Sequence, residues 1–174
     1  MEDKIIKVLP QGVFDQEMED RMLDDTNVEG LTDEAFISII GTEECLVHYL
    51  DEPYTEHWFK TDHTNVLNLE FDDVDHDIEY KGHLFKAISK EQAEKTVNFI
   101  EANLGKNFTI HCRAGKSRSQ AIGKFIFGAY KEHFAKEQPY LEFYFANAGV
   151  LRALNRVLME RAYEEEKLTE QNKK

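Results

Sequence analysis

A β-prone run, Phe108-Thr109-Ile110-His111, delivers Cys112 into a short polar loop, and a strongly helical run from Gln120 to Phe134 leads away from it. The loop reads Arg113-Ala114-Gly115-Lys116-Ser117, followed by Arg118 and Ser119. A strand, a tight glycine-containing loop and a helix start in that order turn backbone N–H groups inward at the helix N-terminus. Such a loop binds a tetrahedral dianion. A thiolate at its floor can attack the bound phosphorus.

Each loop position has a chemical task. Cys112 is the candidate nucleophile; converging N–H donors, a helix N-terminus and a nearby arginine all favour the thiolate. Arg118 is placed to grip two phosphoryl oxygens bidentately and to follow them into the transition state. Gly115 lets the backbone curl without a side chain in the way. The Ser119 hydroxyl can hydrogen-bond the sulfur and stabilise it as a leaving group. Arg113, Ala114, Gly115, Lys116, Ser117 and Arg118 together form the substrate-binding loop, and His111 orients it from behind. The competing reading is an inert buried cysteine that happens to precede a basic turn. The complete string from His111 to Ser119, between strand and helix, disfavours that.

Two other motif readings fail on their own spacing. Gly115-Lys116-Ser117 has the ending of a P-loop, but Ile110 stands where the first glycine is required. Asp73, Asp75 and Asp77 alternate like the start of a calcium loop. There the sixth position is Ile78 rather than glycine, and the twelfth is Leu84 rather than glutamate.

Elsewhere the pattern is one of alternating strands and helices. Ile5 to Leu9 reads as a strand, Pro10-Gln11-Gly12 as a turn, and Asp15 to Asp25 as an acidic helix. Phe36 to Ile40 is a continuous apolar run, as in a buried parallel strand. Leu46 to Tyr49 is a further candidate strand. Leu67, Leu69 and Phe71 alternate with polar residues in a strand from Val66 to Phe71. Ser89-Lys90-Glu91-Gln92 has the form of a capping box. Ala93, Val97, Ile100 and Leu104 follow at helical spacing, and Gly105 stops the helix. Asn147 is placed to cap a last helix carrying Val150, Leu151, Leu154, Val157 and Leu158, and the charged residues from Tyr163 onward read as frayed. The expected class is α/β: a mainly parallel central sheet of about five strands, with helices on both faces.

The 174 residues suffice for one domain, spanning 1–174, with a real core. A net charge of −13 argues against broad binding to nucleic acid or anionic membranes. No apolar run approaches the ~20 residues of a membrane span. Met1-Glu2-Asp3-Lys4 lacks the features of a secretory leader, and the two cysteines, Cys45 and Cys112, give no disulfide framework. The expected location is the cytoplasm. Cys45, beside Leu46 and Val47, reads as a small buried hydrophobe rather than a resolving thiol. The histidines at 48, 57, 63, 76, 83 and 133 have no compact metal-ligand spacing, so neither metal nor cofactor is expected.

The segment His111 to Ser119 resembles the signature of the cysteine-dependent protein tyrosine phosphatases, specifically their dual-specificity branch. It looks most like a group of small bacterial members that carry a Phe-Asp-Asp segment upstream. The resemblance covers the loop strongly and the element order from Ile37 to Phe134 loosely. It implies a two-step reaction through a phosphocysteine on Cys112, with Arg118 binding phosphate. It also implies an aspartate on a separate loop that protonates the leaving oxygen and then activates water. Asp72, Asp73, Asp75 and Asp77 directly follow a candidate strand. The Phe-x-Asp pattern of some relatives selects Asp73, with Asp72 second and Asp75 third. The spacing from Asp73 to Cys112 is longer than usual in that branch, which implies a lengthened loop from Val74 to Leu84.

The expected substrate is a phosphorylated protein. The basic residues Arg113 and Lys116 leave a second substrate class open: phospholipids, inositol phosphates or RNA 5′-phosphates. The bland alternative is that both side chains point to solvent or pair with local acids. A third reading is a phosphoprotein-binding module without turnover. Tyr49, Tyr54, Trp58, Phe59 and Tyr80 are available as an aromatic wall for phosphotyrosine, although most aromatics in a chain like this are core or loop anchors.

Overall fold

A computed structural model describes residues 4–142 and 144–172. Four strands form one parallel sheet in the order β1-β6-β2-β3: β1 (Ile6–Pro10), β6 (Asn107–Cys112), β2 (Glu34–Ile40) and β3 (Val66–Glu70). The sheet is thus one strand smaller than the sequence suggests, because Leu46 to Tyr49 does not join it. That segment forms a π-helical turn, Glu44–Tyr49, closed by Leu50 N–H donating to Cys45 O at 3.0 Å. A four-residue apolar run is too short to separate strand from helix by period. Here Thr42 decides: its carbonyl accepts from Leu46 N–H and its hydroxyl from Cys45 N–H, starting a helical turn directly after β2.

Residues of the strands alternate between the two faces. Ile37, Ile39, Leu67, Leu69, Phe108 and Ile110 face α3 (Lys90–Ala102), α4 (Arg118–Ala129) and α5 (Ala148–Gln171), and build the main core. Leu9, Phe36 and Val66 face the other way, against Phe14 and Met18 of α1 (Gln11–Asp20), Val28 of α2 (Val28–Leu31), and Phe59. Helices therefore cover both faces. The second face also carries a polar row, Ser38, Asn68 and His111, and His57 Nδ1 lies 2.6 Å from Ser38 Oγ.

The helix ends follow their chemistry. Ser89 and Gln92 make both bonds of the capping box, and Asn147 Oδ1 accepts from Val150 N–H at 3.0 Å. Several boundaries differ from the sequence reading, among them the end of α4, which stops at Ala129 rather than Phe134. Helix α1 begins at Gln11, immediately after Pro10, without an intervening turn, and ends at Asp20. Asp24 and Asp25 instead accept backbone N–H groups of Thr26, Lys60 and Thr61 in the loops. Helix α5 runs on to Gln171, so the charged tail from Tyr163 is helical. Glu- and Lys-rich sequence has high helix propensity even when nothing buries it. The chain from Val74 to Leu84 is not a plain loop. It holds a two-stranded hairpin, β4 (Ile78–Tyr80) and β5 (His83–Phe85). Lys81 and Gly82, both at positive φ, form its two-residue turn.

Burial holds two imidazoles neutral: His57 is pushed down to about 4 and His111 to about 3. Below pH ~6.5 the unfolded chain protonates these rings and the folded one does not. Their contribution to stability is therefore complete above that pH and is lost as pH falls toward 4. The urea midpoint should decline through this window, and less steeply in His57→Gln. A midpoint independent of pH across it would contradict the assignment.

Candidate active site

Strand β6 is hydrogen-bonded between β1 and β2 and ends at Cys112, at the carboxyl edge of the sheet, where α/β folds place ligands. The loop then curls back over the end of β1. Gln11 N–H donates to Arg113 O at 3.1 Å. Gly115 has φ +67°, and a Cβ there would lie 2.7 Å from Leu9 C and from Pro10 N. Both its conformation and its neighbours thus demand glycine. From the other side Gln120 Nε2 donates to Gly115 O at 3.3 Å and to Tyr140 O at 2.9 Å. Among the described residues, no acceptor takes the backbone N–H groups of Arg113, Ala114, Gly115 or Lys116.

Cys112 is 3 % exposed, and its Sγ lies 3.0 Å from Ser119 Oγ. Burial opposes ionisation of this thiol. Hydrogen bonding from the Ser119 hydroxyl and N–H, the Arg118 charge and the Ser117 N–H outweigh it and bring the thiol below its ordinary value. Arg118 is 7 % exposed. One of its nitrogens, Nη1, donates to Phe71 O at 2.7 Å, which fixes the guanidinium. Its Nε is buried with no partner among the described residues. A buried guanidinium N–H without an acceptor is costly, unless a ligand supplies one.

A cavity of about 290 Å³ opens over the sulfur. It is lined by Cys112, Arg113, Ala114, Lys116, Ser117 and Arg118 from the loop. Asp72 and Asp73 follow β3, Cys45 and Leu46 lie on the π-helical turn, and Gly41 and Leu50 lie before and after it. The four aspartates after β3 separate clearly. Asp73 faces the cavity and accepts from Ser117 Oγ at 2.7 Å and from Asn147 Nδ2 at 2.8 Å, both on Oδ1. Asp72 also borders the cavity but is 1 % exposed, and both oxygens are taken: Oδ1 by the Thr42 N–H, Oδ2 by the Lys86 N–H, and both by the Thr42 hydroxyl. It is a structural tie. Asp75 turns away, to His76 and Arg152, and Asp77 accepts from Ala87 N–H.

His111 is fully buried, its ring 4.2 Å from that of Phe14. Neither ring nitrogen has an aligned hydrogen-bond partner, although the adjacent Cys112 backbone favours its charged form slightly. It supports the loop by packing. Arg113 forms an ion pair with Glu52, whereas Lys116 is exposed and has no ion pair among the described residues. Cys45 is half-buried and lines the same cavity as Cys112; burial and the Asp72 charge push its thiol up to about 11.

None of the five available aromatics lines the cavity; they serve as core and loop anchors. Tyr49 packs edge-on against Phe85, Tyr80 and His83 and so anchors the hairpin. Phe59 is in the second core with Trp58 packed against it, and Tyr54 donates to Glu70. Leu46 and Leu50 supply the apolar wall instead. Sequence reasoning missed these leucines by assigning the segment to a strand. It also missed the second use of Asn147, beyond its cap. Among the described residues, no group of three or more His, Cys, Asp or Glu side chains is placed to hold a metal ion, and no helix is long and apolar enough to cross a membrane. No protein-family model matches the chain, and neither a curated protein nor a solved structure is found to be similar to it.

The opposite displacements of the two thiols predict selective alkylation. Iodoacetamide near pH 7 should label Cys112 and spare Cys45, and Ser119→Ala should move the Cys112 labelling midpoint to higher pH. Equal labelling of both cysteines would contradict the geometry. Gly115→Ala should abolish the thermal stabilisation that inorganic phosphate gives the wild-type protein. A retained phosphate response would mean that the loop does not form the anion site.

Proposed function

We propose that this chain is a phosphomonoester hydrolase of the cysteine-dependent protein tyrosine phosphatase class, dual-specificity-like, working through a phosphocysteine. One observation carries the reading. A thiol shifted toward thiolate, a buried guanidinium N–H lacking an acceptor and a carboxyl group on a separate loop border one small cavity.

In the first step the phosphate sits against the loop N–H groups and Arg118, with the Cys112 thiolate below the phosphorus. Sulfur attacks, the bond from phosphorus to the ester oxygen breaks, and Asp73 gives that oxygen a proton. Charge on the three equatorial oxygens is met by Arg118 and the loop dipoles, which are already oriented. In the second step Asp73, now a carboxylate, takes a proton from water as its oxygen attacks phosphorus. The sulfur leaves with its electron pair, stabilised by Ser119. Thiolate, guanidinium and carboxyl supply the nucleophile, charge stabilisation and proton, so the scheme calls for no metal.

A phosphorylated protein suits the site best. Leu46 and Leu50 offer an apolar wall to a phosphorylated side chain, and Glu52 matches the charge of Arg113. That pairing halves the excess positive charge on which a preference for polyanionic lipids, inositol phosphates or RNA ends would rest. Asp73, held at the cavity, favours turnover over a pure phosphoprotein-binding role.

Cys112→Ser should abolish hydrolysis of an aryl phosphate while phosphate still binds. Asp73→Asn should slow turnover by about 10²–10⁴-fold and flatten the limb on which activity falls as pH rises. Full activity in Cys112→Ser would remove the mechanism. A larger loss in Asp75→Asn than in Asp73→Asn would reassign the acid.

A further inference from the structure

Asn147 belongs to three structures at once. Its side-chain oxygen accepts from Val150 N–H at 3.0 Å and so caps α5. Its side-chain nitrogen donates to Asp73 Oδ1 at 2.8 Å and to Val74 O at 3.3 Å. Its backbone N–H donates to Ser117 O at 3.2 Å, in the phosphate-binding loop. With both ends of the amide committed, its orientation is fixed: the flipped amide would set oxygen against the Asp73 carboxylate and nitrogen against the Val150 N–H. Asn147 is 9 % exposed, so water competes little for these bonds.

The first turn of α5 presses on the same loop. A Cβ at Gly149 would lie 2.4 Å from Asp75 Cα and 2.5 Å from Asp75 O, and Arg152 Nη2 reaches Asp75 Oδ2 at 3.2 Å. Helix α5 is therefore docked directly on the backbone of the acid-bearing loop. Asp73 Oδ1 takes both Asn147 and Ser117, and among the described residues nothing donates to Oδ2.

We propose that Asn147 is a positioning residue for the general acid. By occupying Oδ1 it fixes the carboxyl plane and leaves Oδ2 to carry the proton. As the phosphorus–oxygen bond breaks, that proton passes from Oδ2 to the leaving oxygen, and the carboxylate remains bound to Asn147 and Ser117. The inference rests on Asp73 being the acid.

The test separates capping from positioning. Asn147→Ser and Asn147→Thr each keep an oxygen that caps a helix, and each lacks the amide donor. We expect the melting temperature and phosphate affinity of both to stay near wild type. Because kcat/KM reports the first, acid-assisted step, it should fall about 10- to 100-fold for phenyl phosphate, whose leaving group needs a proton. It should change little for 2,4-dinitrophenyl phosphate, whose leaving group does not. Equal turnover of phenyl phosphate by wild type and both variants would overturn the proposal. So would an equal loss on both substrates accompanied by weaker phosphate binding, since that marks general support of the loop. Should Asn147→Ser fail to fold, Asn147→Thr carries the same comparison. Asp73→Asn distinguishes the two levels. If it leaves phenyl phosphate turnover intact, the acid assignment itself falls; if it slows turnover and the Asn147 variants do not, only the positioning role falls.

Discussion

The close seat of Gly115 on the end of β1 is the constraint on which the candidate site depends. Strand β6 is interior to the sheet, so the chain leaving Cys112 has β1 and β2 on its two sides and must turn over one of them. It turns over β1, with Gly115 against the Leu9–Pro10 backbone at a distance no side chain would tolerate. That turn aims the loop N–H groups inward and brings the chain back in time for Arg118 to open α4. The thiol, the serine that bonds it and the guanidinium all follow from this one close approach.

The other half of the site arrives from β3, at the sheet edge. Phe71 gives its carbonyl to Arg118, Asp72 locks onto Thr42 and Lys86, and Asp73 borders the cavity bonded to Ser117 and Asn147. Neighbouring carboxylates of the same residue type thus have opposite duties, set by what each one meets. Asp72 is saturated with donors and holds the loop to the sheet. Among the described residues nothing donates to Asp73 Oδ2, so that oxygen is left able to carry a proton.

The parallel strands and the strand–loop–helix turn after Cys112 were legible in the sequence because their signals are local. Phe36 to Ile40 is apolar throughout, Ser89 and Gln92 stand at capping-box spacing, and Cys112 and Arg118 are set by strand, loop and helix start. What escaped depends on contacts between segments distant in the chain. Leu46 and Leu50 become the cavity wall only because Thr42 starts a helical turn. Tyr49 packs on Tyr80 and on Phe85 rather than lining the cavity. Asn147 reads as a cap from its own neighbourhood, and its bond to Asp73 joins positions 74 residues apart. Arg113 and Lys116 look equivalent in sequence, yet Glu52 pairs with only one of them.

The account turns on a covalent bond between Cys112 and phosphorus. Asp73→Asn, which slows water attack on that intermediate, should let it accumulate. The direct measurement is to mix this variant with 2,4-dinitrophenyl phosphate, whose leaving group needs no proton, quench rapidly in acid and map the mass of the cysteine-containing peptides. The account predicts one phosphoryl group on Cys112, absent when Cys112→Ser is added. Steady hydrolysis with no phosphorylated cysteine at any time, or a phosphoryl group on another residue, would contradict it.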